Sequence, residues 1–154
     1  MVLDDRDKAI LSILQADATT PLDRLADSAG LSRNACWRRV RLMEEAGVIR
    51  ARVALVDPAA VNLGLTVFIR VRTNQHAAGW AERFRAAIAA IPEITGAYRT
   101  AGEIDYLLQA RIPDVAAYDR LYRKLIERVD MVDVSASFVM EEIHTTTQLP
   151  LTFI

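Results

Sequence analysis

The chain has 154 residues, 52% of them hydrophobic and 25% charged, which is enough to bury the core of one domain or of two small ones. The formal net charge of −1 excludes a global attraction to nucleic acid or to an anionic membrane, so any basic surface must be local. Cys36 is the only cysteine, which excludes an intramolecular disulfide and a cysteine-based zinc site. No apolar run reaches the roughly 18 residues that span a bilayer, so we expect a cytoplasmic protein with no membrane partner.

The first 30 residues predict two short helices. Asp4 or Asp5 can cap the first, which has apolar residues on one face. Thr20 and Pro21 are typical of an N-cap followed by a first-turn proline, and Gly30 can adopt the left-handed conformation that ends the second helix. The pattern therefore predicts a pair of helices separated by a polar turn.

A third helix is bracketed by Ser32, which can cap it, and by Gly47, which can end it. Cys36, Val40 and Met43 recur at helical spacing and form a small apolar stripe. Two short helices, a glycine turn and a third helix that begins with serine are the layout of the helix-turn-helix, whose second helix enters the DNA groove.

The other face of the third helix is basic. Residues 33–52 contain six Arg and two Glu, whereas residues 1–30 contain three Lys or Arg and six Asp. A helix that needed only solubility would mix in acidic partners four positions away, and we expect this face to stay cationic. Guanidinium groups suit phosphate oxygens and the edge of guanine, so the face predicts a DNA contact. The candidate residues on the helix are Ser32, Arg33, Asn34, Trp37, Arg38 and Arg41.

Alternatives remain open on this helix. A solvated charged face is the plain alternative to a DNA contact. Trp37 is assigned equally to a groove contact and to packing under the following segment. Arg39 lies nearer the apolar stripe, and we expect it to meet the backbone or an acidic neighbour within the domain.

Residues 48–55 alternate apolar with basic side chains and predict an extended strand that places Arg50 and Arg52 on the same side. This is similar to the wing of a winged helix-turn-helix, in which basic side chains follow the phosphate backbone. An edge strand protected by charge is the alternative. We assign residues 1–50 to the helix-turn-helix domain and residues 51–63 to the wing strand and linker.

The second half predicts the order β-α-β-β-α-β, which is a ferredoxin-like unit with both helices on one face of a four-stranded antiparallel sheet. Several strands look apolar on both sides, so we expect the open face of the sheet to pack against a second copy of the chain. The fold class is therefore α+β, with residues 64–154 forming the second domain. The predicted elements are residues 65–72, 78–90, 94–100, 106–112, 115–129 and 132–140.

The whole chain resembles the Lrp/AsnC family of transcription regulators. The resemblance rests on five motifs in the family's order and spacing. They are Leu3-Asp4-Asp5-Arg6-Asp7-Lys8-Ala9-Ile10-Leu11, Leu25-Ala26 with Gly30-Leu31-Ser32, Arg39-Val40 with Glu45-Ala46-Gly47-Val48-Ile49, Gly102-Glu103-Ile104-Asp105-Tyr106-Leu107-Leu108, and Val139-Met140-Glu141-Glu142-Ile143.

The resemblance implies a DNA-binding winged helix-turn-helix and a ferredoxin-like effector domain, in homodimers that often assemble into octamers. It implies no cofactor other than an effector, an amino acid or a related small metabolite, bound near the Gly102 loop. The usual Gly-Asp pair of the family is Gly102-Glu103 here, whereas Asp105 matches the position linked to effector response. The effector-binding candidates are Thr100, Ala101, Gly102, Glu103, Asp105 and Tyr106.

An enzyme is the weaker interpretation. Glu103 and Asp105 share a face of an extended chain, as a general acid and base would, but no His, Cys or Arg near them in sequence completes a site. His76 and His144 lack the spacing of metal ligands, and we expect both to be surface residues. We therefore predict a sequence-specific, amino-acid-responsive regulator that reads a pseudo-palindromic operator, with no catalytic or metal residues. The alternative is a metabolite-binding protein or metabolic enzyme on a ferredoxin-like fold, whose basic helix is incidental.

Overall fold

The computed structural model describes residues 1–75 and 77–154 and divides the chain into two compact units. The first comprises residues 1–55 together with 144–154, and the second comprises residues 56–143. The expectation that His76 is a surface residue lies outside the described residues. No helix in the described part of the chain is long and apolar enough to cross a membrane.

The first unit contains three helices, α1 (Asp5–Ala16), α2 (Leu22–Ser28) and α3 (Arg33–Glu45). Asp4 caps α1, because its carboxylate accepts hydrogen bonds from the amides of Arg6 and Asp7 while the Asp7 carboxylate accepts one from the Asp4 amide. The predicted apolar stripe of α3 is confirmed, and it packs on the buried sides of α1 and α2. The core of this unit is Ile10, Leu11, Leu25, Ala26, Ala29, Cys36, Val40 and Met43.

The predicted N-cap of α2 is wrong by one residue. Pro21 occupies that position, without a side-chain cap, and the helix starts at Leu22. The Thr20 hydroxyl donates instead to the carbonyl of Asp17 at 2.9 Å, so its hydrogen bond closes the turn between the helices.

The predicted strand over residues 48–55 is also wrong. Residues 50–57 have no regular secondary structure, and among the described residues no strand pairs with them. An alternating pattern favours an extended backbone, but a strand also needs a neighbour to accept and donate its ladder hydrogen bonds. The pattern alone could not supply that neighbour.

The last eleven residues, 144–154, group with the first unit, whereas the predicted division placed them in the second domain. The Gln15 side chain binds the backbone of Leu149 twice: Nε2 donates to the carbonyl at 3.2 Å, and Oε1 accepts from the amide at 2.7 Å. Leu151 then packs against the core of the unit. These contacts explain why this tail belongs with α1.

The second unit is an antiparallel sheet with two helices, as predicted. Its strands are β1 (Leu65–Arg72), β2 (Ile94–Arg99), β3 (Tyr106–Ile112) and β4 (Asp133–Phe138), in the order β2-β3-β1-β4. Its helices are α4 (Ala78–Ala89) and α5 (Val115–Ile126). The two central strands, β1 and β3, pair over seven positions from Leu65 with Ile112 to Val71 with Tyr106. This is the ferredoxin-like order.

The two faces of the sheet differ in polarity. The face under the helices buries Val67, Ile69 and Val71 from β1 and Leu108 and Ala110 from β3. The open face alternates with it along each strand. It is less apolar than we expected, since its residues include Phe68, Tyr98 and Leu107 together with Arg70, Gln109, Ser135 and Ser137.

Candidate nucleic-acid interface and effector loop

The third helix is fixed at both ends by local chemistry. Ser32 Oγ accepts a hydrogen bond from the Ala35 amide at 3.3 Å. Gly30 (φ 60°) and Gly47 (φ 72°) both adopt the left-handed conformation that was predicted from their positions. After α3 the amide of Val48 donates to the carbonyl of Met43 at 2.9 Å, which closes the helix end.

The face of α3 opposite its apolar stripe is exposed. Asn34 and Arg38 are exposed, and the Trp37 side chain is 54% accessible to solvent. The Arg41 guanidinium lies 5.7 Å from the centre of the Trp37 ring, within cation–π distance. Arg38 makes no ion pair within the described residues. Its side chain is therefore free to meet a phosphate or a base edge.

The expectation that this face lacks acidic partners is wrong for two of its arginines, Arg33 and Arg41, and Arg52, which follows the helix, is paired as well. Arg41 donates to Glu45, four positions on, at 3.1 Å. Arg52 donates to Glu44 at 2.9 Å, and Arg33 lies 3.4 Å from Asp23. The Arg41–Glu45 spacing was visible in the sequence. The other two pairs depend on how the chain folds back, so no local pattern indicates them.

Trp37 also borders a cleft of about 240 Å³ between α2 and α3. Leu22, Leu25 and Val40 form its apolar floor, and Arg41, Glu44 and Arg52 stand at its rim. The indole is therefore partly exposed and also lines a cleft with an apolar floor. An aromatic ring of this kind, flanked by guanidinium groups, suits a sugar or base-edge contact.

Arg39 contacts acidic neighbours within the first unit, as we predicted from its position near the apolar stripe. Its Nη1 donates to Asp4 at 2.8 Å and to Asp7 at 2.9 Å, and the Asp7 side chain is only 3% exposed. Hydrogen bonds from Arg39 to Asp7 and Asp4 raise the pKa of the guanidinium. The pKa of Asp4 is lowered, mainly by the hydrogen bond from the Asp7 amide and then by Arg39. This arginine ties α3 to the start of α1.

The predicted effector loop joins β2 to β3 and is closed by a small set of hydrogen bonds. The Thr100 amide donates to the Asp105 carbonyl at 2.9 Å, and the Thr100 hydroxyl donates to the Ile104 carbonyl at 2.5 Å. Asp105 Oδ2 accepts from the amide of Thr73, just after β1, at 2.8 Å. Asp105 therefore positions the loop against β1 and is engaged in doing so.

The tip of this loop is open. Ala101, Gly102 and Glu103 are exposed, and Gly102 has φ 146°, a conformation that other residues rarely adopt. In the described part of the chain, none of the amides of residues 101–104 donates to another backbone group. Bare amides beside an exposed carboxylate can receive the two ends of an amino acid, its carboxylate and its ammonium group.

The two tyrosines near the loop, Tyr98 and Tyr106, differ in their exposure to solvent. The Tyr106 ring packs 4.5 Å from Phe84 and 5.7 Å from Trp80 between ring centres, so sheet packing uses most of it. Tyr98 is 55% exposed and its ring lies over Gly96, where an added Cβ would come within 3.0 Å of the hydroxyl. Of the two, Tyr98 is on the open face and has a surface to offer a ligand or a second copy.

No group of three or more His, Cys, Asp or Glu in residues 1–75 and 77–154 has the arrangement of a metal site. Cys36 is buried in the core of the first unit, where burial raises the pKa of its thiol. The groups available for binding are therefore the cationic and aromatic side chains of α3 and the backbone amides of residues 101–104.

Two protein-family models match separate parts of the chain. Residues 3–50 match the model for winged helix-turn-helix DNA-binding domains, and residues 66–149 match the model for the Lrp/AsnC ligand-binding domain. A helix-turn-helix followed by a ligand-binding domain defines a ligand-responsive, DNA-binding transcription regulator.

The relatives and solved structures place the chain more narrowly. It is 49% identical to the glutamate uptake regulatory protein of Zymomonas mobilis over 97% of this chain and 91% of that protein. It is 39% identical to the DNA-binding transcriptional activator DecR of Escherichia coli, over 97% and 99% of the two chains. A crystal structure of an AsnC family regulator from Agrobacterium tumefaciens superposes with a TM-score of 0.95 at 47% identity, and an L-Met complex of a regulator from Neisseria meningitidis with 0.93 at 37%, each over 99% of both chains. The chain belongs to the Lrp/AsnC family.

Proposed function

We propose that α3 is the recognition helix, that a symmetric pair of chains presents it to a pseudo-palindromic operator, and that an amino acid bound at the loop of residues 100–106 controls the binding. The observation that carries the proposal is the exposed face of α3, on which Asn34, Trp37 and Arg38 point away from the core while Cys36 and Met43 anchor the helix. Such a helix can enter the major groove without unfolding.

The remaining contacts follow from position. Ser32 and Arg33 lie at the amino end of α3, where a phosphate is favoured by the helix dipole. Arg50 and Arg52 follow the helix in an irregular segment and are exposed, which suits the phosphate backbone. Two copies are needed because one short helix reads only a few base pairs, and a two-fold pair reads two half-sites about one turn of DNA apart.

An amino acid is the proposed effector for two reasons. The loop tip offers free amides for a carboxylate and the exposed carboxylate of Glu103 for an ammonium group. In addition, the solved regulator from Neisseria meningitidis holds L-Met, and another similar protein is named for glutamate uptake. We propose that the ligand shifts the population of oligomers, larger assemblies such as octamers included, and so changes affinity for DNA rather than undergoing a reaction.

The DNA half of the proposal is tested by Arg38→Ala. A duplex selected from genomic fragments by the wild-type protein is titrated by gel shift beside a scrambled duplex. If Arg38 contacts a base, the variant loses about 1 to 3 kcal/mol on the selected duplex and much less on the scrambled one. Arg85→Ala, which removes an exposed arginine from α4, is the matched control. Equal affinity of the wild type and Arg38→Ala for the selected duplex would contradict the assignment of α3.

A further inference from the structure

Two glutamates at the carboxyl end of α3 contact the arginines that we place against DNA. Glu45 holds Arg41 at 3.1 Å, and Glu44 holds Arg52 at 2.9 Å. A phosphate would approach the same guanidinium edges that these carboxylates occupy. In the free protein the two arginines are therefore already partnered.

Neither pair is needed to hold the unit together. The side chains of Arg41 and Glu45 are 55% and 60% exposed, and those of Arg52 and Glu44 are 44% and 37% exposed. Ion pairs so open to solvent contribute little to stability. The helix is anchored instead by its buried stripe and by the link from Arg39 to Asp7. Structural need does not explain why both carboxylates stand on this surface.

Together with Asp23, the two glutamates have a large effect on the surface charge. The five proposed DNA-contacting arginines are opposed by Asp23, Glu44 and Glu45, which reduces the local charge from +5 to +2. Binding to DNA of arbitrary sequence depends almost entirely on such charge, because each cation that neutralises a phosphate releases a counterion. Base readout depends instead on groups such as Arg38 and Trp37, which these carboxylates do not pair.

We propose that Glu44 and Glu45 are specificity determinants that act as charge brakes, an inference that rests on the proposed function of α3. On DNA of arbitrary sequence Arg41 and Arg52 remain paired with their glutamates. The two arginines then contribute little to the affinity of the non-specific complex. On a matched site α3 fits more closely, and DNA phosphates come near enough to replace the glutamates as the partners of Arg41 and Arg52. The brakes therefore weaken non-specific binding more than specific binding, which is a repulsive route to selectivity.

The test uses the full chain and a random-sequence duplex. Dissociation constants are measured for Glu44→Gln, Glu45→Gln and the double variant between roughly 50 and 200 mM salt. We expect each substitution to tighten random-duplex binding about threefold to tenfold at the low end, and to steepen the plot of log K against log salt by up to about 0.9 for each freed arginine. On the duplex selected by the wild type the gain is smaller, so the ratio of specific to non-specific affinity falls.

Two controls separate a brake from a general charge effect. Glu82 is an exposed residue of α4 whose carboxylate makes no ion pair within the described residues. We expect Glu82→Gln to leave random-duplex binding unchanged. Glu44→Asp and Glu45→Asp keep the charge and stay near the wild type. The brake is refuted if both glutamine variants bind random duplex no more tightly than the wild type, or if Glu82→Gln tightens it equally. Loss of the Arg38→Ala effect would refute the recognition helix itself, which is a separate result.

Discussion

At the residue scale, two neighbouring arginines of α3 have opposite duties. Arg38 is exposed and free of ion pairs among the described residues, whereas Arg39 donates to Asp4 and Asp7. Since the Asp7 side chain is nearly buried, its charge needs a partner inside the protein. Under the proposed function, the same residue type contacts DNA at position 38, whereas at position 39 it stabilises the fold.

We predict that Arg39→Met destabilises the first unit by about 1 to 3 kcal/mol, because it leaves the Asp7 carboxylate without its cation. Arg38→Met should change stability by less than about 0.5 kcal/mol and should weaken operator binding instead. Urea unfolding at pH 7, followed beside gel shifts, measures both. The pKa of Asp4 lies below its ordinary value of 3.8. The stabilisation that the ionised Asp4 carboxylate contributes is therefore present above pH 3.8 and is lost as the pH falls further. Equal stability of the two variants would contradict this division.

At the element scale, the sequence predicted most of the elements and their caps. Asp4, Ser32 and the two left-handed glycines mark helix ends through chemistry that acts within a few residues, and the strands of the second unit alternate over a buried face. Two elements could not be predicted in this way. Among the residues that the structure describes, the supposed strand of residues 48–55 has no pairing partner, and the tail depends on Gln15, more than a hundred residues away in the chain.

The tail leads to a prediction about α1. Leu151→Ala should destabilise the first unit by about 1 kcal/mol, because this half-buried side chain packs on its core. Leu149→Ala should have almost no effect, since that side chain is 72% exposed and only the backbone of Leu149 bonds to Gln15. Hydrogen exchange of peptides from α1 reports the change without interference from the second unit. Unaltered exchange in Leu151→Ala would show that the tail does not support α1.

At the scale of the whole molecule, the charge pattern of the sequence predicts some features of the candidate site and not others. The clustering of arginines on α3 indicates a DNA-binding face from the amino-acid sequence alone. The pairing of these arginines with Glu44 and Asp23 is hidden from the sequence, because it depends on tertiary folding. Asp105 was predicted as an effector-binding residue, and its carboxylate accepts a hydrogen bond from the Thr73 amide that the sequence did not indicate. We propose that this hydrogen bond lets Asp105 influence a ligand through the shape of the loop.

The last prediction joins the loop to DNA binding. An amino acid that binds at residues 101–103 should change the mass of the protein in light scattering and its affinity for the selected duplex together, because the two are linked equilibria. Glu103→Ala should weaken the binding of that amino acid about tenfold, because it removes the partner of the ammonium group. Glu82→Ala, on α4, should leave the binding unchanged. By the same linkage, saturating duplex must shift the amino acid's affinity by the factor that the amino acid shifts the duplex's. If every standard amino acid leaves both the mass and the duplex affinity unchanged, the loop is not an effector site, and the proposed DNA-binding role of α3 does not depend on that result.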